Sequence, residues 1–159
     1  MLPSRDGVSN ATPPLESGGV LFVTATPIGN MGDITLRAVE TLRACSRIAA
    51  EDTRRTRALL SHLGIVGKPL DALHAHSNAR AVDRIVDRLL EGESIALVTD
   101  AGTPSISDPG EALANAAIRA GIRVVPIPGP SAVTAALMAS GLAGDGRFRF
   151  IGFLPRAGA

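Results

Sequence analysis

The chain predicts a three-layer α/β domain built on a five-stranded, mostly parallel sheet. Short apolar runs alternate with amphipathic helical patterns from Val20 to Ser140, and several of those runs are apolar without a break, as strands buried on both faces are. Pro- and Gly-rich loops separate the runs from the helical stretches. A content of 45% hydrophobic residues over 159 positions is enough to cover such a sheet on both sides.

Val20–Ala25 reads as the first strand, and Thr35–Cys45 as a helix with Leu36, Val39 and Leu42 at spacings of three. Arg47–Ala50 is a short second strand that opens into Glu51-Asp52-Thr53-Arg54. Arg57–Leu63 continues as a helix that Gly64 stops. Leu70–His74 reads as the third strand. Asn78–Leu90 places Val82, Ile85, Val86, Leu89 and Leu90 on one helical face, closed by Gly92. Ser94–Thr99, "SIALVT", is an unbroken strand running into "DAGTPSISDPG", and an Ala-rich helix from Glu111 to Ala120 ends at Gly121. Arg123–Ile127 is the fifth strand, "PGPSA" a loop, and Ala132–Ser140 the last helix before Gly141. Residues 1–19, rich in Ser, Gly, Pro and Asn, read as a disordered tail before a domain over 20–146.

The charge balance excludes recruitment of nucleic acid by an overall field. Sixteen basic and 15 acidic residues leave a formal net charge of +1, so any RNA contact must come from a local patch. Fifteen of the basic residues are Arg and one is Lys68, which genome composition explains as readily as phosphate binding. The single cysteine, Cys45, excludes an intrachain disulfide and reads as a small buried residue. The N-terminal stretch lacks the apolar segment of a signal peptide, and no apolar run approaches the roughly 20 residues of a membrane span. A cytoplasmic protein is the expectation.

Sheets of this class bind ligands beyond the carboxyl ends of their strands. The loops Thr26–Asn30, Glu51–Arg54, Asp100–Pro109 and Pro128–Ser131 should therefore face one crevice, with His74-Ala75-His76 on the same side. Neither G-x-G-x-x-G nor G-x-x-x-x-G-K-[ST] is present, so no backbone cradle for a pyrophosphate is expected. Pro27, Pro104, Pro128 and Pro130 remove N–H donors but leave carbonyls free for a neutral base or a cation. A nucleoside with a positive centre fits such loops better than a dinucleotide, although each Pro/Gly cluster taken alone is equally a tight turn. His74 and His76 share one side of a strand, but a metal would need further ligands and only His62 remains, so no metal is expected. Glu51 and Asp52 suit either a helix N-terminus or a functional role, and Asp100 either an Asx-turn or a functional one.

Five motifs in this order, "TPIGNMGDIT", "IAAEDTR", "ALVTDAGTPSISDPG", "RVVPIPGPSA" and "GFLPR", resemble a bacterial family of ribose 2′-O-methyltransferases. That family acts on a cytidine of the 16S rRNA decoding region and lies within the tetrapyrrole methylase superfamily. The resemblance runs from Val20 to Arg156. It implies an S-adenosylmethionine (SAM) donor, two domains with the cofactor between them, a homodimer, and 16S rRNA within the small ribosomal subunit as partner. A sulfonium donor agrees with loops suited to a cationic nucleoside.

Carried over by position, the resemblance assigns Gly102, Thr103, Ser105, Ile106, Ser131 and Ala132 to the cofactor, with Pro27 beside them. Asn30, Arg54, Arg55 and His74 fall to the substrate, although a solvated helix face accounts for the two arginines equally well. The hydroxyl proton needs an acceptor: Glu51 and Asp52 rank first, Asp100 second, and His74 or His76 third. The family continues past "GFLP" with a second domain of similar size, so residues 147–159 are expected to begin a linker or second domain, with Arg147–Leu154 as a crossing strand. A methyltransferase acting on a tetrapyrrole is the rival within the superfamily, and the compact "TPIGN" loop counts against it. A silent fragment or dimerisation module is the rival outside it.

Overall fold

The computed structural model describes residues 18–74, 79–106, 110–142, 144 and 146–153. The elements are β1 (Val20–Thr24), α1 (Leu36–Ala44), β2 (Arg47–Ala50), α2 (Thr53–His62), β3 (Leu70–Ala72), α3 (Ala79–Leu90), β4 (Ser94–Val98), α4 (Glu111–Arg119), β5 (Arg123–Ile127) and α5 (Ala132–Ser140). All four strand pairings are parallel and the sheet order is β3-β2-β4-β1-β5. The expected five-stranded sheet is therefore wholly parallel.

The pleat sends alternate residues to opposite faces, and this splits the core in two. Val20, Phe22, Ile48, Ala50, Ala96 and Val98 pack with Ala38 and Leu42 of α1 and Leu60 of α2. Leu21, Ala49, Ile95 and Leu97 pack on the other face with Ile85 and Leu89 of α3 and Leu113 and Ala117 of α4. The chain moves outward from β1 through β2 to β3 under one helical layer, then reverses through β4 to β5 under the other. Reversal and change of face occur together, as crossovers of a single hand require. The switch falls between β1 and β4, where loops leave adjacent strands in opposite directions and open a crevice.

Local chemistry fixes the ends of the elements. The Thr35 hydroxyl accepts from Ala38 N at 3.1 Å and starts α1. Gly110 precedes α4 at φ 138°, and a Cβ there would stand 2.8 Å from Leu97 Cδ2, so only glycine fits. Edge strand β5 carries Pro126, tolerated because only β1 pairs with that strand.

Three expectations need correction. Helix α2 begins at Thr53, not Arg57, because the Asp52 carboxylate accepts from Arg54 N at 2.8 Å and nucleates a polar first turn. Strand β3 ends at Ala72, so His74 lies beyond it; His76 and Asn78 are outside the described residues. Residues 147–153 form no strand despite their alternating Arg and Phe.

Candidate functional site

Every described loop at the carboxyl end of β1, β2, β4 and β5 is tied to another, and the ties build the site. Ala25 N donates to Ile127 O at 3.1 Å. Thr26 and Gly102 exchange backbone hydrogen bonds of 2.9 and 3.0 Å, an isolated antiparallel bridge between the β1 and β4 loops. The Thr26 hydroxyl donates to Thr99 O at 3.0 Å, and the Thr103 hydroxyl to Pro130 O at 3.1 Å. Asp100 N donates to Glu51 Oε2 at 3.2 Å, which joins the β2 loop to the β4 loop. Gly102 sits at φ 87° with Ile28 Cγ2 3.4 Å from where its Cβ would be, so the bridge needs glycine here.

The Thr26–Gly102 bridge separates two hollows. The larger, a cleft of about 680 Å³, lies between the Ala101–Thr103 stretch with Ile106, helix α5 and the segment from Phe148 to Phe153. Its walls are mostly apolar: Ile28, Val133, Leu137, Leu142, Phe148 and Phe150. Ser131 holds the N-cap position of α5 without a capping bond from its side chain, so its hydroxyl is left to the cleft it lines. The smaller hollow, about 250 Å³, lies between the β1 loop, the first turns of α2 and the end of β4. Pro27, Met31, Ala58 and Leu59 give it apolar walls, and Thr99, Asp100 and Arg55 give it polar groups. A third hollow of about 360 Å³ sits at the amino ends of β1 and β5, away from all these loops.

Five of the seven residues expected at the cofactor, Gly102, Thr103, Ile106, Ser131 and Ala132, line the larger cleft together. Pro27 lines the smaller hollow instead, on the other side of the bridge. Ser105 lines neither; it adopts φ 70°, unusual for a residue with a side chain. The Asn30 side chain accepts from Gly32 N at 2.9 Å and caps the 3-10 turn Met31–Asp33. Arg54 projects into solvent with one guanidinium nitrogen 3.3 Å from the Asp52 carboxylate. Arg55 pairs with Asp100 at 3.2 Å across the smaller hollow. His74 is exposed beyond β3.

The three carboxylates are unequal. Asp52 is committed to capping α2, and the backbone N–H of Arg54, followed by its guanidinium, holds that carboxyl below its ordinary value. Glu51 braces the backbone of Asp100 through one oxygen. Asp100 gives one oxygen to Arg55, while its Oδ1 is buried and finds no hydrogen-bond partner among the described residues. The Thr99 hydroxyl is in the same state. Thr99 was missed by sequence reasoning because a hydroxyl at a strand end signals nothing until its neighbours are known. The contribution of α5 was legible in principle: "AVTAALMA" has no polar stripe to face water.

A parallel sheet whose switch-point loops are tied together over two adjoining hollows defines an α/β ligand-binding domain. Residues 20–157 match the Tetrapyrrole (Corrin/Porphyrin) Methylases, and the chain belongs to that family. It is 57% identical over 141 residues to the Ribosomal RNA small subunit methyltransferase I of Xylella fastidiosa, covering 89% of this chain and 51% of that protein. The proteins of the same name from Halalkalibacterium halodurans and Escherichia coli O157:H7 are each 53% identical, with 87% of this chain covered and 47% and 48% of theirs. The chain spans about half the length of these curated relatives. Among solved structures, a conserved hypothetical protein of Aeropyrum pernix K1 superposes with a TM-score of 0.62 at 26% identity, covering 80% of this chain and 44% of that one. The uroporphyrin-III-C-methyltransferase of Thermus thermophilus shares the fold, with a TM-score of 0.57 at 24% identity over 80% of this chain and 54% of its own.

Proposed function

We propose that this chain carries the donor wall and the acceptor pocket of a SAM-dependent methyltransferase that modifies the ribose 2′-oxygen of a cytidine in 16S rRNA. The observation that carries the reading is the partition: one stretch of chain, Thr99–Thr103, lines the smaller hollow with its first two residues and the larger, apolar cleft with its last three. A group transfer needs its two reactants on either side of a thin boundary, with reacting atoms held about 3–3.5 Å apart and in line. The names of the curated relatives support ribosomal RNA as the substrate class.

The larger cleft fits a sulfonium nucleoside by its chemistry. Its volume lies within the range of small-molecule sites, roughly 300–1,000 Å³; its walls are apolar, and its polar lining includes the side chains of Thr103, Ser131, Ser140 and Arg149. Gly102, Thr103, Ser131 and Ala132 would hold the donor against the bridge, and Ile106, Leu137 and Phe148 would exclude water. When bound, SAM supplies a methyl group activated by its positive sulfur. The protein's own task is alignment and removal of the hydroxyl proton. Glu51 is the acceptor we assign: Asp52 is spent on its helix, and Glu51, outside the lining of both hollows, adjoins the smaller one through Asp100, whose N–H one of its oxygens accepts. Arg54 and Arg55, on the exposed start of α2, would take backbone phosphates.

Helix α5 contributes no buried residue; Leu142 and Phe153, which line the larger cleft, are exposed, and so are Met138 and Ile151. Such a surface asks for cover, from sequence equivalent to the other half of the relatives or from a second copy in a homodimer. A donor held by one wall swings out of line. Accordingly this chain alone should leave 30S subunits unmethylated, whereas the chain joined to the second half typical of its relatives should transfer labelled methyl to a cytidine 2′-oxygen, read by nuclease digestion and mass spectrometry. Methyl found on a base, or full activity in the chain alone, would overturn this reading.

A further inference from the structure

Thr26 grips the β4 loop at two points. Its backbone N–H and carbonyl exchange hydrogen bonds of 2.9 and 3.0 Å with Gly102, and its hydroxyl donates to Thr99 O at 3.0 Å. Asp100 and Ala101 lie between the two grips. Pro27 favours extended backbone at the residue before it, so the local sequence prepares Thr26 for both contacts. Thr26 is 2% exposed and its bond to Thr99 O is buried. Valine has nearly the same shape, so what threonine adds at this position is a hydroxyl for that carbonyl.

The two grips serve different parts of the site. Gly102 lines the larger cleft, and the Thr103 hydroxyl beside it donates to Pro130 O at 3.1 Å, so the backbone grip holds the donor wall. The hydroxyl grip acts on another group. Thr99 C=O and Asp100 N–H belong to one planar trans peptide and point in opposite directions, so fixing the carbonyl fixes the N–H. That N–H donates to Glu51 Oε2 at 3.2 Å. Thr26 hydroxyl, peptide and carboxylate therefore form one chain of hydrogen bonds, each polarising the next. The Glu51 backbone is anchored separately, its N–H donating to Val98 O at 3.3 Å, but its side chain has rotatable bonds that the Asp100 N–H must hold.

We propose that Thr26 is a positioning residue for methyl transfer: its hydroxyl, acting through the Thr99–Asp100 peptide, sets the direction in which Glu51 presents its carboxylate. Its backbone holds the donor wall independently of that hydroxyl. This rests on the reading of Glu51 as the proton acceptor and deepens it. An acceptor works only within hydrogen-bond reach of the proton it takes. Glu51 stands outside the lining of both hollows, so its aim depends on the peptide that Thr26 holds.

The test compares Thr26→Val, which removes the hydroxyl and keeps the backbone bridge, with Thr26→Ser, which keeps both. In the 159-residue chain, Thr26→Val should speed hydrogen exchange of the Asp100 amide about tenfold, the effect of one lost hydrogen bond. Exchange at Gly102 and affinity for S-adenosylhomocysteine should not change. In the chain joined to the second half typical of its relatives, the single-turnover rate of methyl transfer to 30S subunits should fall about tenfold with KM unchanged. Thr26→Ser should restore both the exchange and the rate. Added to Glu51→Gln, Thr26→Val should cost nothing further, because two groups on one path are not additive. A wild-type rate in Thr26→Val would overturn the proposal, as would an equal loss of donor affinity, a full further loss on top of Glu51→Gln, or no rescue by Thr26→Ser. A Thr26→Val chain that does not fold would make the hydroxyl a support of the whole domain and overturn it too. The two ideas fail separately: no transfer by the wild type discards the methyltransferase reading, and Asp100 exchange in the chain alone then decides whether Thr26 holds the peptide.

Discussion

The two hollows beside the Thr26–Gly102 bridge share a partition and differ in how their walls are held. The smaller has a buried floor of Thr26, Thr56, Leu59 and Thr99 under an exposed rim of Gly29, Met31, Arg55 and Ala58, so its base is set by the same packing that holds the sheet together. The larger is lined by α5 and residues 148–153, and α5 has no buried residue. Helix α3 sharpens the contrast: it buries Ile85 and Leu89 in the core and turns its charged residues outward, whereas α5 is apolar all round and rests on little. The difference teaches that the fold finishes one of the two sites by itself and leaves the other half-walled.

The largest expected effect breaks the chemistry while leaving both hollows intact. In the chain joined to the second half typical of its relatives, Glu51→Gln should lower turnover by about a hundredfold, the scale of general-base catalysis, with donor affinity unchanged. Single-turnover methyl transfer measures it. If turnover is normal, the proton goes elsewhere and Asp100→Asn becomes the variant to examine. Next in size is a block of the half-walled cleft. Ala136 lines it from the exposed side of α5, so Ala136→Trp should weaken S-adenosylhomocysteine by about tenfold or more without lowering the melting temperature. Calorimetry on the two proteins checks both quantities.

Smaller effects test the rim of the finished pocket. Arg55→Ala should weaken single-stranded RNA binding a few-fold and reduce the salt slope by about one counterion, visible in fluorescence anisotropy at several salt concentrations. Asp52→Ala removes the α2 cap and should lower the melting temperature by a few degrees at neutral pH. The sign with pH follows from the depressed Asp52 value: the stabilisation is complete above the ordinary value of 3.8 and is lost as pH falls through the lower folded value. The gap between wild type and Asp52→Ala should therefore close only in strong acid.

What the sequence made legible follows from which signals are local. Strand β5 and helix α5 read as Arg123–Ile127 and Ala132–Ser140, the bounds observed, because Gly121, Pro128 and Gly141 punctuate them. The start of α2 was not legible from apolar periodicity, since its first turn, Thr53-Arg54-Arg55-Thr56, is specified by a polar cap. The alternation in residues 147–150 imitates a strand, but strand formation needs a neighbour to bond with, and none of the described strands pairs with it. In the site, Gly102, Thr103, Ile106, Ser131 and Ala132 converge as expected because loops after parallel strands must meet at one end of the sheet. The side of the bridge on which Pro27 falls, and the unpaired Thr99 hydroxyl, depend on contacts between segments 73 residues apart. No local pattern carries them.

The central claim is that one bridge separates a donor cleft from an acceptor pocket, so the two sites should fill together. The direct measurement is a titration of the chain with a nucleoside monophosphate, followed by amide resonances, with and without saturating S-adenosylhomocysteine. The account predicts that both ligands bind at once, the nucleotide shifting Thr99 and Leu59, the donor analogue shifting Thr103 and Ser131, and neither affinity changing more than about twofold, the mark of sites with little coupling. Mutual exclusion, with either ligand displacing the other, would show a single site and contradict it.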